Sequence, residues 1–358
     1  MSFKSVWLRL LRVLLFPVAV LYGMVVKLRN YLYDKEIIKS TEFNFPLIVV
    51  GNLSVGGTGK SPMVEYLLQL LTARFKVASL SRGYKRKTRG YILAGENTTA
   101  IDLGDEPMQF HLKFPQVAVA VGEERAIAIP QILFDRPDTE VIIMDDAFQH
   151  RAVKAGFNIL LTDFNNLFYK DYFLPTGNLR DSRSRYKQAD MIVVTKCNEA
   201  ITVEDKEKIK AHINPNIDQP VFFSTIKYGT PYHIISKEKR KIDTGTGVLL
   251  ACGIAKPQML KQYLSNLAAT VDTVYYRDHY IFSIDDLKHI VNRFNKITSQ
   301  HKIIIVTEKD AVRLVKFDAI LKDVPLYVLP IETSFLFNEA AQFNNEVEKF
   351  IQNFKEKM

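Results

Sequence analysis

Apolar residues fall in two rhythms along this chain. From Phe45 onward, short and nearly continuous apolar runs alternate with stretches in which apolar residues return every three or four positions. The runs are Leu47–Val50, Val77–Leu80, Val117–Val121, Val141–Met144, Asn158–Leu161, Met191–Thr195 and Val221–Ser224. Strands buried on both faces need such runs, and their alternation with helical spacing predicts a mostly parallel sheet flanked by helices. A polar stretch over 227–247, with Lys237-Glu238-Lys239-Arg240-Lys241 and several glycines, reads as a connection. Beyond it Val248–Cys252, Thr273–Tyr276, Ile303–Thr307 and Leu326–Leu329 alternate with helical segments such as Gln258–Leu267. This predicts a second, smaller α/β unit over 248–358, ending in a charged amphipathic helix from Asn344 to Met358.

The most apolar stretch, Val6 to Val26, is interrupted by Arg9 and Arg12, so Val13 to Val26 is its uncharged part. As a helix that part reaches about 21 Å, short of a hydrocarbon core of roughly 30 Å. Lys27-Leu28-Arg29-Asn30 stands where a secretory signal would carry small residues for cleavage. The reading is a membrane-associated helix over 1–35 lying in the interface, peripheral or monotopic. Trp7 and Tyr22 are expected at headgroup level, with Lys4, Arg9, Arg12, Lys27 and Arg29 toward anionic lipid. A core helix of a soluble protein is the alternative.

Composition changes this picture little. The chain has 358 residues, 47% hydrophobic and 24% charged, which excludes a disordered or fibrous protein and allows two domains. A net charge of +9 calls for an acidic partner: nucleotide, nucleic acid or anionic membrane. No recognised nucleic-acid module is present, so nucleic acid is not expected, nor is an obligate protein partner. Cys197 and Cys252 are far apart and lack metal-ligand spacing, which points to a reducing compartment without a disulfide framework.

The chemistry concentrates after the first strand. Val49-Val50-Gly51-Asn52-Leu53-Ser54-Val55-Gly56-Gly57-Thr58-Gly59-Lys60-Ser61-Pro62 leads from a strand through a glycine-rich loop into a helix. Glycines let backbone N–H groups crowd round a polyphosphate, Lys60 adds a point charge, and Ser61 can ligate Mg²⁺. The strict phosphate-loop pattern wants glycine where Ser54 stands. Residues 36–226 form the expected phosphate-binding unit. In it, Val141-Ile142-Ile143-Met144-Asp145-Asp146 is a strand ending in two carboxylates suited to Mg²⁺, or to a helix cap. Gly104-Asp105-Glu106-Pro107 opens a helical segment, where an acid can cap or act as the base of a kinase. His279 and Thr307-Glu308-Lys309-Asp310 follow strands of the second unit, with roles open from spacing alone. Basic clusters at 82–89 and 180–187 can hold a phosphate or simply be solvated.

Two classes of function remain at this point: a lipid kinase, or a P-loop GTPase or ATPase switch or chaperone at the membrane. Thr195-Lys196-Cys197-Asn198 resembles a guanine-reading motif, but Asn198 stands in place of the aspartate. The N-terminal helix, the loop at 51–62, Ser81-Arg82-Gly83-Tyr84, Gly104-Asp105-Glu106-Pro107, Asp145-Asp146-Ala147-Phe148-Gln149-His150, Leu174-Pro175-Thr176-Gly177, Asp278-His279 and Thr307-Glu308-Lys309-Asp310-Ala311-Val312 occur in order. Together they closely resemble the tetraacyldisaccharide 4′-kinase family of lipid A biosynthesis, over nearly the whole chain. Ser54 fits that family, which also lacks the first glycine; Ala147 and Phe148 depart from its usual Asp-Asp-Gly-Leu.

The resemblance implies a P-loop kinase at the cytoplasmic face of a bacterial inner membrane, moving the γ-phosphate of ATP to the 4′-hydroxyl of a lipid A disaccharide 1-phosphate. It implies Asp105 as base supported by His279, with Lys60 on the phosphates. Val55, Gly56, Gly57, Thr58, Gly59, Lys60 and Ser61 would hold ATP. Ser61, Asp145, Asp146 and Glu106 would stand at Mg²⁺, and Arg82, Gln149, His150 and Arg180 at the substrate.

Overall fold

The computed structural model describes residues 3–254 and 257–355, with side chains from Leu14 to Phe354 within those spans. A nine-stranded sheet runs in the order Ile331–Phe335, Val221–Tyr228, Met191–Thr195, Phe157–Asp163, Leu47–Asn52, Val141–Asp145, Val77–Ser81, Ala118–Val121, Ile92–Leu93. Its inner pairs are parallel, and only the two edge strands are antiparallel. The period of two along each strand sorts the apolar residues into two cores. Leu47, Val49, Ile142, Met144 and Leu160 face one side; Ile48, Val50, Ile143, Ile159 and the helix residues Leu67 and Leu68 face the other. Leu47–Asn52 lies between Phe157–Asp163 and Val141–Asp145. The chain leaves it on one side and returns on the other, so its C-terminal end opens on the crevice where parallel α/β sheets bind ligands.

The second sheet has the order Tyr232–His233, Leu326–Leu329, His301–Thr307, Thr246–Cys252, Thr270–Tyr275, covered by helices that include Gln258–Ser265 and Ile284–Asn295. Two of the expected boundaries shift. Tyr232–His233, inside the stretch read as a connection, is an edge strand of this sheet. The chain beyond Leu329 is not part of the smaller unit: Ile331–Phe335 pairs antiparallel with Val221–Tyr228 in the large sheet. The Ala340–Lys355 helix then buries Phe343, Val347 and Ile351 in that sheet's core, because its apolar stripe finds partners such as Phe335, 4.4 Å away between ring centroids. Both cysteines are free and buried.

The N-terminal helix spans Phe3–Asp34, with Pro17 inside. It docks one face on the large unit: Ala19, Val26 and Asn30 are buried, and Asn30 Nδ2 donates to Asp181 Oδ1 at 2.7 Å. Tyr22, expected at headgroup level, instead turns inward and donates to the Arg180 carbonyl at 3.1 Å. Lys4, Trp7, Arg9 and Arg12 have side chains outside the described residues. The outer face leaves Leu14, Val18, Leu21, Val25 and Leu28 exposed. Leu14–Asp34, 21 residues of mean hydropathy 1.2, is long and apolar enough to cross a membrane by length and composition. Docking of one face makes it a helix that offers a surface an apolar stripe.

Candidate active site

The glycine-rich loop has the backbone its composition foretells. Gly56 and Gly59 sit at φ 108° and 83°, a region closed to most side chains. Lys60–Leu71 is helical from the first residue after Gly59, so its free N–H groups face the loop. Lys60 Nζ lies 3.3 Å from Asn52 Oδ1 and 3.7 Å from Asp146 Oδ1. Asn52, unremarked in the sequence, organises this corner: its side chain donates to the Ser54 carbonyl at 2.5 Å and accepts from Arg180 Nη2 at 2.5 Å. Gly51 and Phe148 fit each other, since a Cβ on Gly51 would come within 2.5 Å of the Phe148 Cβ. The contact is with the backbone and Cβ of residue 148, so it accounts for the glycine at 51 and not for the phenylalanine.

The two acids after the Val141–Asp145 strand are in unlike settings. Burial pushes the Asp145 carboxyl up to about 7, reinforced by the charges of Glu106 and Asp146 against those of Lys60 and Arg125. Its Oδ1 is buried without a hydrogen-bond partner. Burial also opposes ionisation of Asp146, but the Arg180 hydrogen bonds and the Lys60 charge outweigh it and hold that carboxyl below its ordinary range. Asp146 is committed to Arg180 through two hydrogen bonds. Among the described residues no three His, Cys, Asp or Glu side chains converge to hold a metal. Ser61, Asp145, Asp146 and Glu106 are therefore not a preformed cage. The orphaned Asp145 oxygen, with Glu106 adding charge, fits a divalent ion that arrives on phosphates and needs one or two carboxylates.

Asp105 opens the Asp105–Lys113 helix and is buried. His279 Nδ1 lies 2.7 Å from its Oδ2, and Arg313 Nε donates to its Oδ1 at 2.5 Å. Burial works against its ionisation, yet these two partners prevail and keep the carboxyl below its usual range. His279 Nε2 is 3.2 Å from Lys309 Nζ, which also pairs with Asp278 at 2.8 Å. The segment at 307–310 thereby acquires roles. Thr307 caps the Glu308–Leu314 helix, Lys309 meets His279, and Asp310 accepts from the Gly253 N–H at 3.1 Å. Asp105, Glu106, Lys309 and the loop share one neighbourhood: Glu106 and Lys309 line a cavity of about 390 Å³ together with Gly59 and Ser61. Cys197, Tyr228, Ile254, Met259 and Leu260 form an apolar side of this cavity.

The residues expected at the substrate separate into two groups. Arg180 is held by Asp146 and Asn52, while Gln149 donates to the Asn52 carbonyl and its own carbonyl accepts from Arg29 at 2.9 Å; both brace the loop. His150 is different. Burial, then the charges of Arg125 and Arg82, push its imidazole down to about 4, so it is neutral and surrounded by positive charge. Arg125 went unnoticed in the sequence, although it starts a helix right after a strand; it is buried, and its Nε and Nη2 lack partners. Burial pushes it down to about 10, with Asp145 opposing. Such a cluster is complementary to a phosphate. Lys196 of the motif-like segment binds the Gly57 carbonyl and Asp163, buttressing the loop.

A phosphate loop at the carboxyl edge of a parallel sheet, with buried acids beside it and a carboxylate–histidine pair across a cleft, defines a P-loop phosphotransferase. The family model for tetraacyldisaccharide-1-P 4′-kinase matches residues 11–352. The chain is 44% identical over 349 residues to the tetraacyldisaccharide 4′-kinase of Flavobacterium johnsoniae, with 96% of this chain and 98% of that one covered. It is 41% identical to the kinase of the same name from Bacteroides thetaiotaomicron, covering 94% and 93%. The crystal structure of "apo" form LpxK from Aquifex aeolicus in complex with ATP superposes with a TM-score of 0.75 at 27% identity, covering 95% of this chain and 99% of that one. The chain belongs to the tetraacyldisaccharide 4′-kinase family and is, with it, an ATP-dependent kinase.

Proposed function

We propose that this protein transfers the γ-phosphate of ATP to the 4′-hydroxyl of a tetraacyldisaccharide 1-phosphate in lipid A synthesis, with Asp105 as general base and His279 as its support. The observation that carries the reading is the Asp105–His279 pair at 2.7 Å, beside a cavity that the phosphate loop shares with Glu106 and Lys309. ATP binds along Val55–Ser61, with its base against the apolar side near Met259 and Leu260. Lys60 neutralises charge on the transferring phosphoryl group, and Asp105 accepts the hydroxyl proton as the hydroxyl oxygen bonds the γ-phosphorus, the bond from that phosphorus to the β–γ bridging oxygen breaks and ADP leaves. Ser61, Asp145, Asp146 and Glu106 are the residues that would hold Mg²⁺, which would supply further charge neutralisation on the phosphates. Arg125, Arg82 and neutral His150 offer a positive seat for a substrate phosphate.

The N-terminal helix brings this crevice to the cytoplasmic face of the inner membrane, its stripe from Leu14 to Leu28 against lipid. Incubation of the full chain with γ-labelled ATP, Mg²⁺ and a tetraacyldisaccharide 1-phosphate in detergent should label the lipid. ATP hydrolysis without labelled lipid would sink the proposal.

A further inference from the structure

The start of the Asp105–Lys113 helix meets the end of the Glu308–Leu314 helix and its end meets the other's start, so the pair is antiparallel and tied at both ends. At one end a single guanidinium, Arg313, donates through Nε to Asp105 Oδ1 at 2.5 Å and through Nη1 to the His279 carbonyl. At the other end Lys113 Nζ bridges Glu65 Oε2 at 2.6 Å and Glu308 Oε1 at 2.7 Å. His279 is a non-glycine residue at φ 64°, a conformation that persists only where its surroundings hold it. Its Nδ1 meets the remaining Asp105 oxygen.

We propose that Arg313 is a positioning residue that assembles the reacting pair across the two units, fixing the plane of the Asp105 carboxylate and the His279 backbone with one planar fork. The inference rests on the reading of Asp105 as the base. Asp105 belongs to the large unit, whereas His279 and Arg313 belong to the small one, so nothing within either unit alone sets the geometry of the pair. The Asp105 side chain is 1% exposed and that of Arg313 13%, so water does not replace the contact freely. A guanidinium carries donors fixed in one plane and can serve two acceptors at once, while an ammonium on a flexible stem serves them less rigidly. Loss of the fork frees Asp105 Oδ1 and removes the tie on the His279 carbonyl. The carboxylate lone pair that must meet the acceptor hydroxyl then loses its direction.

R313Q, R313K, H279A, D105A and the double variant R313Q/H279A test this in the full-length protein, with ATP and a tetraacyldisaccharide 1-phosphate in detergent. R313Q is expected to lower kcat by about 10²-fold while KM for ATP stays within about threefold, because misplacement rather than lost binding is the defect. R313K should recover part of the rate, and R313Q/H279A should lose less than the product of the two single losses, since residues acting as a unit are not additive. A kcat for R313Q near that of the unsubstituted protein, or multiplying losses in the double variant, overturns the proposal. So does a loss in R313Q and R313K that follows a lowered melting temperature and weakened ATP binding, which marks a structural role only. D105A separates the two readings. Near-normal turnover in D105A removes Asp105 as base whatever position 313 does; an inactive D105A beside an active R313Q removes the positioning role alone.

Discussion

Between Val49 and Leu71 the phosphate site is built from neighbours: strand, loop and helix are consecutive, and Gly56, Gly59 and Lys60 act within a few residues of one another. The Asp105 site is built from strangers. His279 is 174 positions away and Arg313 208, on the other sheet's side of the cleft. The first can form as soon as its own unit folds, by backbone geometry. The second exists only when the units meet, so its geometry reports their docking. Phosphate binding and phosphate transfer should therefore separate under mutation.

The largest separation is expected at Asp105. D105N keeps the shape but removes the proton acceptor, and turnover should fall by about 10²- to 10⁴-fold with ATP affinity nearly unchanged, measured by initial rates and by equilibrium binding of ATP. Lost ATP binding would show that the two sites are one structural unit and break the comparison. K60A should act in the opposite sense. Removal of that ammonium lowers turnover by about 10²- to 10³-fold and also weakens ATP, since the charge serves both the bound and the transferring phosphates. Unchanged ATP affinity in K60A would move Lys60 to the acceptor side.

The same contrast decides how much could be read from the sequence. Local signals were legible: buried runs gave strands such as Met191–Thr195, and glycines with Lys60 and Ser61 marked the phosphate loop. The motif order carried the pairing of Asp105 with His279 through resemblance, not through spacing. Arg313 was invisible because its partners are set by the packing of distant segments, and the role of Asn52 was hidden because its link to Arg180 is set the same way; neither residue type is unusual where it stands. The return of Ile331–Phe335 to the large sheet was missed for a similar reason, since a short edge strand is chosen by its neighbour rather than by its own pattern. Arg125 alone had a usable local signal, a cation opening a helix after a strand.

Glu65 tests whether the two regions are mechanically joined, and its effect should be the smallest. It lies on the loop's own helix, accepts from Lys113 of the Asp105 helix at 2.6 Å, and shares that lysine with Glu308 of the other unit. Burial, followed by the Glu308 charge, pushes its carboxyl from 4.5 up to about 7, against the attraction of Lys113. The native state thus keeps a proton that the unfolded chain has released, and stability declines as pH rises from about 4.5 to about 7, then levels. E65Q removes that titration while keeping the shape and one hydrogen-bond acceptor. Its stability relative to the unsubstituted protein should climb through the same window by about 1–3 kcal/mol, read from denaturant melts at several pH values. A difference independent of pH would mean that Glu65 is ionised in the fold and fully paired by Lys113. If turnover of E65Q also stays within about threefold, register at this end is set by packing of the helices rather than by charge. A larger loss in kcat with intact ATP binding would instead tie the loop helix directly to the placement of Asp105.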